Sequence, residues 1–178
     1  VKTKKCKVCK NAFNPYISLQ KTCGVKCYIA LEKSNTDKAE KKQWKERKDA
    51  ARPLKWWADK AKLACHTYIR ERDKNEPCIS CSRYHSGQHH AGHFMPSGVN
   101  AALRFDEANI HKQCAPCNLF KSGNLTLYRI NLVKKIGAEE VERLETCNIT
   151  KKYSKEDLDE ITVYYKDKLR LLKELDRG

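Results

Sequence analysis

From about Val25 to Ala51 the chain contains neither Gly nor Pro and is rich in Lys, Glu and Ala, which reads as a long exposed helix. Pro53 punctuates it. A second helix is predicted from Leu54 to Lys74, where Trp57, Ala61, Ala64, Tyr68 and the neighbouring Ile69 recur at helical spacing and Pro77 closes the segment. Between residues 78 and 123 that periodicity stops. Four of the seven glycines, five of the six histidines and four of the ten cysteines fall there, a composition suited to short strands and loops around a site. After Gly123 the helical pattern resumes at Leu125 to Ile136, stops at Gly137, and continues from Ala138 to Thr146. In the last helix Ser154 and Asp157 form a capping-box pattern, and Leu158, Ile161, Tyr165, Leu169 and Leu172 make one apolar stripe.

Composition limits what these elements can build. The 178 residues are 40% hydrophobic and 33% charged, with 4 Phe and 1 Met, so the apolar core is expected to be modest and stapled by something else. No run of about eighteen apolar residues occurs, and the basic stretch 1–10 has no apolar segment, so neither a membrane span nor a secretory signal is expected. Charge is uneven: 37 Lys+Arg against 22 Asp+Glu give +15, and residues 1–75 carry 21 against 8 of these. Such an excess points to a polyanionic partner, most simply nucleic acid, gripped mainly by the first half; a solvated surface is the plainer alternative.

Eight cysteines fall into two quartets. Cys6-x2-Cys9 is completed by Cys23-x3-Cys27, and Cys78-x2-Cys81 by Cys114-x2-Cys117. Each half places two thiolates on one side of a tight turn, and two halves make the tetrahedral sulfur cage that structural zinc favours. Disulfides are the alternative, but a Lys-rich chain without a secretory signal is expected in a reducing compartment. Two Zn²⁺ ions with four thiolates each lower the formal charge from +15 to +11. Cys65 and Cys147 remain as buried free thiols. A four-sulfur cage has no open position for a substrate, so chemistry must lie between the knuckles, where His85, His89, His90, His93, Asn109 and His111 stand, with Asn118 directly after Cys117.

Gly92-His93-Phe94-Met95-Pro96, followed by Asn109-Ile110 and by Gln113-Cys114-x2-Cys117-Asn118, resembles the HNH endonuclease motif in its zinc-supported form. The resemblance implies a treble-clef, ββα-metal core in which one divalent ion is held against a phosphodiester. By that likeness His93 takes the place of the general base, Asn109 of the residue that orients it, and Asn118 of an oxygen ligand of the ion. Such hydrolysis needs a base for water, a cation for the extra charge on the phosphorane, and a fixed in-line geometry. This sequence departs at one position: Gly92 stands where the family often has an acidic ligand. His90 is the first substitute and His89 the second, because strand alternation puts 90 on the face of 92 and 89 on that of 93. The catalytic ion is then Mg²⁺ or Mn²⁺, with imidazole tilting the preference toward Mn²⁺ or Ni²⁺.

The likeness extends further. Tyr68 to Asp73, Pro77 to Cys81, Ala91 to His93, Leu103 to Phe105, Asn109 to Cys114 and Lys121 to Leu125, after a cysteine quartet and a Lys-rich helix, resemble the NinG (Rap) family of lambdoid phages. This resemblance implies an endonuclease of phage recombination that cuts branched DNA, such as Holliday junctions and D-loops, in the cytoplasm of the infected bacterial host. The expected architecture is mainly α with small zinc-stabilised α+β modules. It runs as a four-cysteine finger (1–30), a basic helical DNA-binding region (31–76), a nuclease core (77–125) and C-terminal helices for packing or dimerisation (126–178). Arg104, His111, Lys112, Lys121, Lys55 and Lys60 are candidate phosphate contacts, and Trp56 or Trp57 a candidate wedge at a branch if not a packing residue. Junction symmetry suggests a homodimer. The alternative is a non-catalytic zinc module that binds branched DNA or structured RNA.

Overall fold

A computed structural model describes residues 3–176; positions 1–2 and 177–178 of the first and last predicted segments lie outside the described residues. The chain divides into two units, 1–52 and 53–178. In the first, β1 (Lys4–Lys5) and β2 (Ala12–Phe13) form a small antiparallel hairpin, with the Cys6-x2-Cys9 knuckle between them. Lys10 takes a left-handed φ of 65° and the Cys6 amide donates to the Asn11 carbonyl at 2.9 Å, which turns the knuckle back on itself. The long helix α1 (Val25–Ala50) follows, with Cys27 in its first turn. No residue of α1 is buried, and Tyr28, Ile29 and Trp44 are exposed, as expected of a helix made mostly of Lys, Glu and Ala.

The second unit is built on α2 (Leu54–Arg72) and α5 (Lys155–Leu175). The small residues Ala61 and Ala64 let α5 approach closely, so that Cys65, Tyr68 and Ile69 pack with Leu158 and Tyr165, and with Ala91, Phe105 and Ile110 from the central segment. The apolar stripe of α5 is therefore covered within the chain, so α5 serves the packing expected of the C-terminal helices. By the same packing α2 belongs to the second unit, together with the ribbon segment expected to form the core at 77–125. Ser154 caps α5 as the sequence predicts: its Oγ accepts from the Asp157 amide at 3.0 Å, and the Asp157 carboxylate accepts from the Ser154 amide at 2.8 Å. Lys60 is held down too. Its ammonium pairs with Asp159 of α5 at 2.6 Å and lies 4.7 Å from the Trp57 ring centroid, so the expected phosphate contact gives way to a helix-to-helix tie. Trp57 itself packs against this core.

Between α2 and α3 (Leu125–Ile136), strands β3 (His89–His93) and β4 (Ile110–Cys114) form an antiparallel ribbon. A single π-helical turn, Pro116–Phe120, follows β4, and the left-handed Gly123 (φ 81°) and Asn124 (φ 46°) separate it from α3. A second core joins Ile79, Phe94 and Leu103 to Tyr128 and Leu132 of α3 and to Val141 and Leu144 of α4 (Ala138–Thr146). Cys65 is buried and its thiol pushed up to about 12 by burial; Cys147 packs half-buried on the second core.

The two blocks Tyr68 to Asp73 and Asn109 to Cys114 meet at a buried carboxylate. Asp73, 3% exposed, accepts from Arg72 Nε at 2.7 Å, from Arg72 Nη2 at 2.8 Å and from the Lys112 amide at 3.0 Å. Burial alone raises its pKa, but the bonds and charge of Arg72, with the bond from the Lys112 amide, outweigh that and hold the carboxyl far below the usual range. Two expected phosphate contacts are corrected here. His111 is buried, bonded to Arg72 at 3.0 Å and to the Ala108 carbonyl at 3.1 Å, and Lys112 is buried with its ammonium on the Lys74 and Glu76 carbonyls at 2.7 and 2.9 Å. Neither has a side chain left for DNA. Asp73→Asn leaves the Arg72 guanidinium with only Glu107, 3.9 Å away, as a counter-charge and is expected to cost about 3 kcal/mol in urea unfolding at neutral pH. Because the folded pKa is depressed, this contribution is present at neutral pH and lost only as pH falls below about 3.9.

Candidate active site and metal centres

In each quartet the four sulfurs lie within 4.8 Å of one another, and all ten cysteines are free. The measured edges are 3.6 Å for Cys9 to Cys23, 3.7 Å for Cys23 to Cys27 and 3.9 Å for Cys81 to Cys114. A tetrahedron of sulfurs each about 2.3 Å from a central zinc has edges of about 3.8 Å, so the donor sets fit the ion. Local bonds favour thiolate: the Cys23 amide donates to Cys6 Sγ at 3.4 Å, the Cys114 amide to Cys78 Sγ at 3.3 Å, and Asn124 Nδ2 to Cys117 Sγ at 3.6 Å. Four thiolates so close repel. Its thiol neighbours Cys9 and Cys27 push Cys23 up to about 12, and burial with neighbouring thiols does the same to Cys114, so a cation is what lets all four ionise together. The second cage fixes three segments at once: the knuckle after α2, the end of β4 and the π-helical turn.

That turn carries Asn118. Its Nδ2 stands 2.8 Å from Nδ1 of His90, which lies on β3 opposite Gln113 of β4. Neighbouring ligands of a six-coordinate ion at about 2.1 Å stand about 3 Å apart, and turning the amide over presents its oxygen, so these two side chains fit as adjacent ligands. His90 and not His89 is the partner that the structure brings to Asn118. Strand alternation sends His89 to the other face, where burial lowers its pKa, with the charges of Lys112, His85 and His90 adding to the effect.

His93 closes β3. Its Nε2 is 3.0 Å from the carbonyl oxygen of Arg104; only a protonated ring nitrogen can bond a carbonyl, so Nε2 carries the hydrogen and Nδ1 keeps its lone pair. Asn109 acts on this arrangement through the loop rather than by touching the ring. Fully buried, its amide accepts from the Met95 amide at 2.7 Å and donates to the Met95 and Leu103 carbonyls, both at 3.0 Å, which pins the loop that presents the Arg104 carbonyl. His93 opens into a cleft of about 190 Å³ with Asp59, Lys62 and His66 of α2 and with Ser97 and Arg104. The His66 ring lies 5.5 Å from that of His93, centroid to centroid.

Burial lowers the pKa of His93; the Arg104 carbonyl opposes this, and the charges of Lys62 and Arg104 add to it. His66 is lowered to about 4 by burial and by His93 and Lys62. His93 is therefore neutral, and competent as a base, throughout the neutral range. A rate that depends on it should have its acid limb below the ordinary histidine value of about 6.5, which a pH–rate profile of strand cleavage checks. Stability has the same sign. Unfolded histidines take up protons near pH 6.5 that the folded His66, His93 and His111 resist, so the second unit should lose stability as pH falls from about 6.5.

The glycine before His93 has a structural cause. A Cβ at Gly92 would stand 2.1 Å from Gln113 Oε1, so the Gln113 side chain fills the place of the expected acidic ligand. Gln113 is fully buried, and its amide donates to Ser80 Oγ at 2.6 Å, while Oε1 has no hydrogen-bond partner among the described residues.

Comparison with known proteins covers nearly the whole chain. Residues 1–176 match the family model described as bacteriophage lambda NinG protein. The chain belongs to the NinG family. It is 38% identical over 188 residues to protein ninG of Escherichia phage 933W, which spans 96% of this chain and 94% of that protein. Identity to the proteins of the same name from Salmonella phage P22 and Escherichia phage lambda is 37%, covering 93% of this chain and 91% and 90% of theirs. No solved structure matches it in the comparison. Among the described residues of this NinG chain no helix is long and apolar enough to cross a membrane. Of the candidate phosphate contacts, Arg104 lines the His93 cleft and Lys55 and Lys121 are exposed. Asp59, Lys62 and His66 were not among the expected site residues. Their spacing of three and four along α2 is the sequence signal for one shared helix face, and it went unread because Trp57, Ala61 and Tyr68 dominate the pattern of that helix.

Proposed function

We propose that this NinG family chain is a metal-dependent endonuclease of the HNH type that hydrolyses phosphodiesters in branched DNA during phage recombination, in the cytoplasm of the infected host. The observation that carries the reading is the convergence of His90 and Asn118 beside the second cysteine cage, with His93 three residues further along β3 and its ring held by the Arg104 carbonyl. A divalent ion bound by His90 and Asn118, Mg²⁺ or Mn²⁺, would supply charge stabilisation for the phosphorane and the leaving oxygen. His93 Nδ1 takes the proton of the attacking water as its oxygen bonds to phosphorus; the bond to the 3′ oxygen breaks, and that oxygen takes a proton from solvent. The products carry 5′ phosphate and 3′ hydroxyl. Zinc in both cages, a ββα-metal core of β3, β4 and the Asn118 turn, and a homodimer matched to junction symmetry complete the proposal.

A second reading has one specific support: Gln113 occupies the place of the acidic ligand, as it would in a binding module that has lost its chemistry. Incubation of a synthetic four-way junction, a linear duplex and a structured RNA with the protein in Mn²⁺ or Mg²⁺, and in EDTA, separates the two. The nuclease nicks the junction only with the divalent ion. A module binds the junction or the RNA and nicks nothing in any ion.

A further inference from the structure

The cleft beside His93 is lined by more than the motif supplies. Asp59, Lys62 and His66 sit at positions i, i+3 and i+7 of α2, so one face of that helix forms a wall, and Ser97 and Arg104 form the other. The α2 wall is anchored by the core packing of Ala61, Ala64 and Cys65 on the neighbouring face, which fixes where the polar face points. Lys62 and Arg104 both act on His93 as positive charges, and neither takes part in an ion pair among the described residues. Lys62 is exposed, so its ammonium can move to a ligand, whereas Arg104 is partly buried with Nη2 3.4 Å from the Ser97 carbonyl. The charged and titratable groups facing this space are Asp59, Lys62, His66, His93 and Arg104, two permanent cations against one carboxylate. A cleft of about 190 Å³ has room for a phosphodiester group.

We propose that this cleft is the seat of the scissile phosphate, with Lys62 of α2 holding one non-bridging oxygen and Arg104 the other, and with His66 packed on the His93 ring as a positioning residue. The inference rests on the nuclease reading for the word scissile, and on the geometry alone for the phosphate. It gives α2 a place in catalysis besides its packing role. It also identifies positive groups able to offset the phosphate charge in addition to an ion held by the His90 and Asn118 pair.

The test uses the full chain loaded with zinc. Affinity for a four-way junction is measured against salt concentration without a cutting ion, and single-turnover cleavage in Mn²⁺, for wild type, Lys62→Ala, Lys62→Arg and Lys166→Ala, the last removing an equal charge from an exposed site on α5. One lost phosphate contact lowers the slope of log affinity against log salt by about 0.9. Lys62→Ala is expected to lose that amount and to cut at least about tenfold more slowly, the loss expected of a group that touches the transferred phosphate. Lys62→Arg should keep both properties, and Lys166→Ala should match wild type. A Lys62→Ala protein with wild-type slope and rate overturns the proposal, and a reduced slope with a wild-type rate overturns the scissile assignment. If wild type cuts nothing in any ion, the nuclease reading fails instead, and the slope alone decides whether the cleft holds a phosphate.

Discussion

His93→Ala should cut a four-way junction about 10² to 10⁴ times more slowly than wild type in single turnover, the usual contribution of a positioned general base, while its affinity for the junction stays near wild type. The structure gives reasons for both halves. His93 is two-sided: Nε2 is tied to the Arg104 carbonyl, and Nδ1 is left as the acceptor. Burial keeps the ring neutral at working pH, so almost every molecule carries a competent base and its removal affects nearly all of the rate. The ring adds no charge that DNA would feel, which is why affinity should hold. Wild-type cleavage by the variant would mean that another group activates water, and His66, 5.5 Å away, would then be the first to examine.

Cys114→Ser should have the largest structural effect. Cys114 ends β4, shares its cage with Cys78, Cys81 and Cys117, and stands four residues from Asn118. Zinc held by four thiolates contributes about 10–16 kcal/mol to folding in small domains, against a total stability of about 5–15 kcal/mol for an ordinary one. Loss of this cage is therefore expected to unfold the ribbon and the Asn118 turn. Zinc content should fall from two ions per chain to one, and the near-ultraviolet circular dichroism of the second unit should collapse. Cys9→Ser makes the comparison. It should empty the first quartet instead, and because residues 1–52 form a separate unit, the thermal transition of residues 53–178 should persist.

Much of this fold was written plainly in the chain. The helices follow local rules that need no tertiary context: Gly137 stops α3, and Ser154 with Asp157 starts α5 where the capping pattern predicts. The quartets too are local, since two ligands close together in sequence must share a turn. What could not be read was which charged residues are free. Lys112 and Lys60 look like phosphate contacts by type, yet one bonds carbonyls of the turn that follows α2 and the other pairs with Asp159, far away in sequence. His111 was set beside His93 for the same reason of sequence proximity and belongs instead to the Asp73 network. The choice between His89 and His90 needed only strand alternation, whereas the fit of Gly92 needed Gln113, a residue on the partner strand.

The role of the His90 and Asn118 pair is tested most directly by one titration, in which Mn²⁺ is added to the zinc-loaded protein with a four-way junction and both bound Mn²⁺, by electron paramagnetic resonance, and strand cleavage are followed. The geometry predicts one Mn²⁺ per chain beyond the two zinc ions, with cleavage rising as that site fills. In His90→Ala and Asn118→Ala both curves should move together to higher Mn²⁺. Cleavage that saturates at the same Mn²⁺ concentration in both variants as in wild type would contradict the account.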